Sequence, residues 1–196
     1  MTSKKLDLSP INGLILSGGK SSRMGKDKAL LNYHGTSQLA HLTILLKPFC
    51  DRVYVSAKYI TEYPNHNIIE DQYHMDSPLN GILSALTSYP ENAWLVIACD
   101  MPFIDTQSIE FLMSYRSLDK LATCYINQKN IIEPLFSIWE PDAQEQLQSF
   151  QSNDGLSPRK FLIDNHVNLV KPLDHKVLMN VNTLEEFEHN KKNYNM

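Results

Sequence analysis

The sequence predicts an α/β fold in which a mostly parallel central sheet is flanked by helices. Short apolar segments alternate along the chain with segments whose apolar residues recur at helical spacing. One segment, residues 93–99, is apolar throughout, as is typical of a strand buried on both faces in the middle of a parallel sheet. Strands that alternate with helices favour parallel pairing through right-handed crossovers.

The first half of the chain supplies four strands and two helices. Leu39, Leu42 and Leu46 lie at helical spacing and predict a helix over 37–49. A second helix, with apolar residues on one face, is expected over 80–88 and ends before Pro90. Runs rich in β-formers predict strands at 13–16, 52–56, 67–70 and 93–99.

The second half of the chain is expected to add three strands and four helices. Asp105 or Thr106 can cap a helix, and Pro141 is expected at the first turn of another, where its missing N–H costs nothing. Ser157 and Pro158 begin a helix that runs through Ile163. Residues 183–186 form a capping box that starts the terminal helix. The strands are expected at 121–126, 133–139 and 167–170.

Size and composition indicate one folded domain over 11–196, preceded by a flexible tail over 1–10. The chain has 196 residues, of which 42% are hydrophobic, which is too apolar for a disordered protein. Its 18 basic and 22 acidic residues give a net charge of −4, so we expect no nonspecific nucleic-acid binding. No apolar run is long enough for a membrane span or a secretory signal. Three widely separated cysteines favour a reducing, cytoplasmic setting.

The loop after the first strand carries the strongest chemical signal. Residues 16–28 contain three glycines and four cationic side chains. Glycines allow successive backbone amides to approach an anion, and Lys and Arg neutralise phosphate charge. The loop is no Walker A motif, because the first glycine of that motif would fall on Leu14, and G-x-G-x-x-G is absent. The loop therefore predicts a phosphate site of another class.

Two carboxylates follow strands at the edge where open parallel sheets bind ligands. Asp100 follows the most apolar strand, and one such carboxylate can hold Mg²⁺ together with a triphosphate. Asp71 follows the third strand. It is adjacent to Glu70, and because neighbouring side chains of an extended segment point apart, only one of the two can face the site.

These motifs, taken in order, resemble those of the molybdenum cofactor guanylyltransferases, the MobA family. Residues 16–28 read L-S-G-G-K-S-S-R-M-G-K-D-K and closely resemble the family loop L-A-G-G-x-S-x-R-M-G-x-D-K, in which Ser17 replaces Ala. Residues 69–71 (I-E-D), 77–82 (S-P-L-N-G-I), 99–103 (C-D-M-P-F), 133–136 (E-P-L-F) and 180–183 (N-V-N-T) resemble its later landmarks. The resemblance covers about residues 11–190.

The resemblance implies a Rossmann-like fold of the nucleotide-diphospho-sugar transferase type and a nucleotidyltransferase activity. Such an enzyme joins GMP from GTP to a molybdopterin cofactor, releases pyrophosphate and uses Mg²⁺. Proteins that carry or insert the finished cofactor are further expected partners. The site residues implied by position are Leu16, Ser17, Gly18 and Gly19 at the nucleotide, Asp71 in the nucleotide site, Arg23 and Lys28 at the phosphates, and Asp100 on Mg²⁺.

The sequence leaves several points open. Ser56 stands where the family often has an Asn that contacts the nucleotide, so the choice of base is not fixed. Asn80 is bulkier than the small residue of the family, which puts the pterin side in doubt, and either Asn180 or Asn182 is a candidate site residue. A cytidylyltransferase, a sugar-phosphate nucleotidyltransferase and a non-catalytic nucleotide-binding protein remain alternatives.

Overall fold

The computed structural model describes residues 9–17 and 28–193, which form one seven-stranded sheet with helices on both faces. The strands are β1 (Ile11–Leu16), β2 (Val53–Ala57), β3 (Asn67–Glu70), β4 (Ala93–Ala98), β5 (Ala122–Ile126), β6 (Ile132–Trp139) and β7 (Asn168–Val170). The α-helices are α1 (Gln38–Leu46), α2 (Leu79–Ser88), α3 (Thr106–Ser114), α4 (Ala143–Ser152), α5 (Pro158–Asp164) and α6 (Leu184–Asn193). Short 3₁₀ helices span Lys28–Leu30 and His175–Leu178.

The sheet is mostly parallel, as the sequence predicts, and its strand order is β3-β2-β1-β4-β6-β5-β7. Strands β1, β2, β3 and β4 pair in parallel, and β5 pairs in parallel with β7. Strand β6 runs antiparallel to both of its neighbours, β4 and β5. The chain therefore builds β2 and β3 on one side of β1 and then crosses to β4 on the other side.

Alternate strand residues feed two apolar layers, one on each face of the sheet. On one face Ile15 and Ile97 pack with Leu42 of α1 and Ile109 of α3. The opposite face packs against α2, α4 and α5 and includes Trp94 and Trp139, both expected in the core and both fully buried. Every residue of β4 is buried, which confirms the prediction of a central strand.

Helix ends agree with the sequence where a polar cap defines them. Ser37 Oγ accepts the Ala40 N–H (3.2 Å), Asp105 rather than Thr106 caps α3, and the Thr183 box begins α6. The expected start at Pro141 is wrong. Helix α4 begins at Ala143, because a turn in which Ala143 N donates to Glu140 O (3.0 Å) comes first. Helix α1 ends at Leu46 rather than at 49, just ahead of Pro48.

The N-terminal tail predicted over 1–10 is described only from residue 9. Ser9 Oγ accepts a hydrogen bond from Arg116 Nη2 (2.6 Å), and Pro10 O accepts one from Ala93 N (2.9 Å). None of the helices in the described ranges combines the length and the apolar character that a membrane crossing requires.

Candidate active site

The candidate site lies between β1 and β4, where the strand order reverses: β2 and β3 lie on one side of β1, and β4 lies on the other. At such a switch point the loops after two neighbouring strands diverge and leave a crevice at their carboxyl ends. Ser17 follows β1 and Asp100 follows β4 by two residues. The Cys99 N–H donates to Leu16 O (3.1 Å), so the last residues of the two strands stay paired up to the crevice.

Three side chains from distant parts of the chain meet at this point. Lys28 Nζ lies 3.3 Å from Asp100 Oδ2 and donates to Asn182 Oδ1 at 3.2 Å. The Lys28 and Asp100 side chains are 21% and 20% exposed, so the ion pair is accessible from the crevice but only partly solvated. The sequence predicted Lys28 and Asp100 and left Asn180 and Asn182 as alternatives; the structure brings Asn182 to the pair.

The segment that carries Asn182 is fixed from both sides. The Val181 N–H donates to Asp100 O (2.8 Å), which ties this segment to the end of β4. The Glu186 carboxylate accepts hydrogen bonds from the backbone N–H groups of Asn182 (2.6 Å) and Thr183 (3.2 Å). Beneath it a small apolar cluster joins the segments that follow β1 and β4 to α6; its members are Leu31, Tyr33, Phe103, Val181 and Phe187. Burial raises the pKa of Tyr33, and nearby Asp100 raises it further, so this hydroxyl stays neutral.

A chain of hydroxyl groups links β1, β2 and β3 on the other side of the crevice. Ser17 Oγ donates to Ser56 O (2.6 Å), and Ser56 Oγ donates to Asp71 Oδ1 (3.0 Å). Burial raises the pKa of Asp71, and the hydrogen bond from Ser56 partly offsets that rise. Asp71 is partly buried while Glu70 is exposed, which agrees with the expectation that only one of the two faces the site.

Helix α2 approaches the ends of β1 and β2 at Gly81. A Cβ at this position would overlap Ser56 Oγ and lie 2.7 Å from Leu16 Cδ2. The absence of a side chain therefore lets the first turn of α2 close over the hydroxyl chain. This contact explains the glycine in the S-P-L-N-G-I motif in terms of packing.

Other candidate residues have local roles or lie outside the described residues. Asn80 is buried and binds the backbone of the loop after β3, accepting from Tyr73 N (3.1 Å) and donating to Met75 O (3.3 Å). The Asn80 amide thus ties this loop to the start of α2. The expectation that Asn80 changes the pterin side stays a prediction. Lys160 pairs with Asp164 (2.9 Å) on the exposed face of α5. Gly18, Gly19 and Arg23 lie outside the described residues.

The environment of Asp100 fits a hard cation that is shared with a ligand. Its Oδ1 is buried and has no hydrogen-bond donor among the described residues, which is unfavourable unless a cation or a donor faces it. Across residues 9–17 and 28–193 no cluster of three or more His, Cys, Asp or Glu side chains could hold a metal by itself. A Mg²⁺ ion here would take one carboxylate and complete its shell with phosphate oxygens and water.

A surface cleft of about 770 Å³ lies at the opposite edge of the sheet and includes Leu121 and His166, which precede β5 and β7. The cleft opens at the amino ends of those strands. Ligands of open α/β sheets bind at the carboxyl ends, so this cleft is a poor candidate for the site.

Comparison with known proteins agrees with this geometry. A family model described as the MobA-like NTP transferase domain matches residues 13–170. The chain belongs to this family. Its membership confirms the resemblance seen in the motifs, and the protein is a nucleotidyltransferase.

Relatives of this MobA-like chain cover most of its length. It is 38% identical to the "Molybdenum cofactor biosynthesis bifunctional protein" of Synechocystis over 95% of the chain, but it spans only 56% of that protein. It is 30% identical to the "Molybdenum cofactor guanylyltransferase" of Pseudomonas fluorescens over 89% of the chain and 90% of the relative. The crystal structure of "Molybdopterin-guanine dinucleotide biosynthesis protein A" from Archaeoglobus fulgidus has the same fold, with a TM-score of 0.77, 18% identity and coverage of 92% and 97%.

Proposed function

We propose that the protein transfers GMP from GTP to the molybdenum–molybdopterin cofactor, forming the guanine dinucleotide cofactor and releasing pyrophosphate. The observation that carries this proposal is the Lys28 ammonium group held between Asp100 and Asn182 at the switch point of the sheet. Lys28 is the last residue of the loop 16–28, which resembles the family signature. The name of the Pseudomonas fluorescens relative supports the same reaction.

The reaction is an in-line displacement at the α-phosphorus of GTP. An oxygen of the acceptor's phosphate monoester forms a bond to that phosphorus, and the bond to the β-phosphate bridging oxygen breaks. Pyrophosphate leaves with the electron pair. A phosphate monoester is already ionised near neutrality, so no general base is required. The protein must hold two anions together and offset their charge.

The residues divide this task between them. Lys28 places a positive charge against the phosphates, and Arg23 is predicted to act with it on the transition state and the leaving pyrophosphate. The backbone around Leu16, Ser17, Gly18 and Gly19 is predicted to hold the nucleotide. Asp71, with its carboxylate fixed by Ser56, is predicted to bind the nucleotide from the far side of the crevice.

Asp100 is the residue that would hold Mg²⁺. The ion, when bound, neutralises triphosphate charge and favours departure of pyrophosphate. Asp100 Oδ2 also pairs with Lys28, which holds the ammonium group at the crevice.

The decisive experiment incubates the protein with Mg-GTP and molybdenum-loaded molybdopterin and looks for the dinucleotide by mass spectrometry. Parallel reactions with CTP and UTP test the alternatives, and thermal shifts with each nucleotide report relative affinity. A tenfold preference for GTP corresponds to about 1.4 kcal/mol. Formation of the cytosine dinucleotide alone, or of no product from any nucleotide, would contradict the proposal.

Substitution of the metal-binding carboxylate gives a second test. We expect Asp100→Asn to lower kcat by about a hundredfold or more, the cost of removing one strong electrostatic stabiliser. The matched control is Asp142→Asn, since Asp142 is exposed beside α4 and its side chain makes no capping hydrogen bond. Normal turnover of the Asp100 variant in magnesium would refute the assignment.

A cytoplasmic setting and proteins that carry or insert the finished cofactor stay predictions. Pull-down from a molybdenum-replete extract with the protein as bait, with and without GTP, tests the second of these.

A further inference from the structure

Strand β6 carries a β-bulge near its start, at the end of the sheet where the candidate site lies. On β5, Cys124 pairs with Ser137 of β6, but the next residue, Tyr125, pairs with Glu133. One step along β5 thus corresponds to four along β6. Because β6 is antiparallel to β4, its first residues lie at the carboxyl ends of the parallel strands, next to the segment that carries Asp100. Bulges at such edges commonly redirect a side chain toward a site.

The side chain that this bulge presents is Glu133. Its Oε1 accepts the Leu135 N–H (3.1 Å), which satisfies a backbone donor that the bulge leaves unpaired. Its Oε2 is neither fully buried nor hydrogen-bonded among the described residues. Burial raises the pKa of Glu133, Leu135 N–H and Arg159 oppose the rise, and Asp100 adds to it. By its place in the sheet, Glu133 lies at the start of β6, beside the end of β4 that Asp100 follows, and next to Ile132, which Arg159 contacts.

Arg159, at the start of α5, is fixed beside the bulge by its own hydrogen bond. Its Nε donates to Ile132 O (2.8 Å), the residue just before Glu133. No ion pair joins Arg159 to Glu133 within the described ranges. The two opposite charges thus lie along the same strand without direct contact, and each retains hydrogen-bonding capacity toward a ligand.

The charges around Glu133 decide what kind of group it can contact. A second carboxylate at the strand ends that carry Asp100 repels a phosphate, so Glu133 does not receive the phosphate end of an acceptor. It suits a group with N–H donors, which a carboxylate oxygen accepts in a charge-assisted hydrogen bond. The amino-substituted ring of a pterin presents two such donors side by side.

We propose that Glu133 is a specificity-determining residue for the acceptor, its Oε2 accepting hydrogen bonds from the N–H donors of the pterin ring. The inference rests on the proposed function, because the pterin acceptor comes from there. It places the pterin over the β6 bulge, on the opposite side of Asp100 from the Ser56–Asp71 hydroxyl chain, so that the two substrates meet at Asp100 and Lys28.

The chemistry of glutamine separates this role from a purely structural one. In Glu133→Gln the side-chain oxygen can still accept the Leu135 N–H, so the bulge is kept. The NH₂ group then takes the place of Oε2 and points donors at the donors of the pterin. A residue that only caps the bulge tolerates Gln and is damaged by Ala, whereas a pterin-binding residue is damaged by both.

The test measures binding of molybdopterin directly by calorimetry, in the presence of GTP, and separately measures the KM of each substrate. We expect Glu133→Gln to weaken molybdopterin binding and raise the acceptor KM by about tenfold or more, with the KM for GTP and the melting temperature unchanged. Glu110→Gln, an exposed carboxylate on α3, is the matched control.

The outcomes distinguish the two proposals. Equal molybdopterin binding by the wild type and Glu133→Gln overturns the inference about Glu133 and leaves the proposed function standing. Weakened binding without any dinucleotide from the wild type supports the inference and overturns the reaction. No molybdopterin binding by the wild type overturns both.

Discussion

Ser56 connects the residues that follow β1 and β3 through two hydrogen bonds. It receives the Ser17 hydroxyl on its backbone oxygen and passes its own hydrogen bond to Asp71. The family resemblance leads one to expect an Asn at this position, whereas the shorter Ser56 side chain directs its hydroxyl to the Asp71 carboxylate. We infer that Asp71, held in this way, meets the nucleotide in place of the missing amide.

Removing this hydroxyl is expected to shift the pH dependence of nucleotide binding. Burial raises the pKa of Asp71 and the Ser56 hydrogen bond lowers it, so Ser56→Ala leaves a carboxyl group that protonates at higher pH. GTP affinity that needs the carboxylate is present above the folded-state pKa and lost as pH falls through it. Calorimetric titration with GTP across the acid range should show the loss at higher pH in Ser56→Ala than in the wild type or in Ser152→Ala, an exposed control on α4. Coincident profiles would contradict the role of Ser56.

Side chains that follow strands could be predicted from the sequence, whereas contacts between distant segments could not. Asp100 and Asp71 come directly after runs that read as strands, and the carboxyl ends of parallel strands meet at one edge. Asn182 lies 154 residues from Lys28, and no local pattern predicts that contact. Glu133 depends on a bulge in the register of β6, which alternation of residues does not reveal.

The position of helix α2 against β1 and β2 depends on Gly81. We expect Gly81→Ala to destabilise the fold by about 1–3 kcal/mol, because the added methyl group forces α2 away from β1 and β2, and to weaken GTP binding as well. Gly35→Ala is the comparison, since Gly35 has φ +78° but open space around its Cβ. Its cost is backbone strain alone. Urea denaturation and calorimetry measure the two effects. Unchanged stability of Gly81→Ala would exclude the packing role, and GTP binding as tight as in the wild type would exclude its effect on the site.

The contact between α1 and the loop before it makes folding sensitive to acid. The rings of His34 and His41 stack at 3.7 Å, and His34 Nε2 lies 3.1 Å from Pro102 O. Burial lowers the pKa of both residues. For His41, burial and the charge of His34 together lower the pKa to about 4.

This depressed pKa sets the direction of the pH effect. Between the unfolded value of about 6.5 and the folded value of about 4, the unfolded chain binds more protons, so stability falls as pH falls through this window. Glu133 and Asp71, whose pKa values are raised, act in the opposite direction. Urea denaturation at pH 7.5 and pH 5 gives the free energy of unfolding of the wild type and of His41→Gln. We expect the loss of stability between the two pH values to be smaller in His41→Gln. An equal loss in both proteins would refute the role of the histidine pair.

Elements marked by periodicity or by a polar cap were predictable, and Pro158 and Pro90 also marked a helix start and a helix end correctly. The helical spacing of Leu39, Leu42 and Leu46 and the cap at Ser37 reflect the local chain. Pro141 instead lies in a turn ahead of α4, because its fixed φ suits both a turn and a first helical residue. The reversal of β6 arises from the hairpin to β5, which is a choice of pairing rather than of propensity.

Strand order separates the residues that we propose to bind the two substrates. The β1–β2–β3 half carries Ser56 and Asp71, the β4–β6–β5 half carries Glu133, and Asp100 stands at the boundary. A nucleotide and an acceptor bound on different halves meet only at that boundary, where Lys28 and Asp100 lie. The proposed reaction therefore depends on residues from both halves of the sheet.

A buried ion pair joins the chain's first described residues to the segments that follow α3 and β6. Arg116, after α3, binds Glu140, after β6, through Nε to Oε1 (2.7 Å) and Nη2 to Oε2 (2.8 Å), and Arg116 Nη1 donates to Ser9 O (3.2 Å). The two side chains are only 5% and 3% exposed. A buried carboxylate left without its partner is unfavourable, whereas replacing both partners by apolar residues is often neutral.

We therefore expect Arg116→Leu to lower the free energy of unfolding by about 3–5 kcal/mol and Arg116→Leu with Glu140→Leu to recover most of that loss. Lys160→Leu is the control, because the Lys160–Asp164 pair is 66% and 47% exposed and contributes less than about 1 kcal/mol. Urea denaturation measures all three. If Arg116→Leu loses no more free energy of unfolding than the control, the pair does not fasten the N-terminal segment to the sheet. If the double variant is as unstable as the single one, apolar residues cannot replace the two charges at these positions.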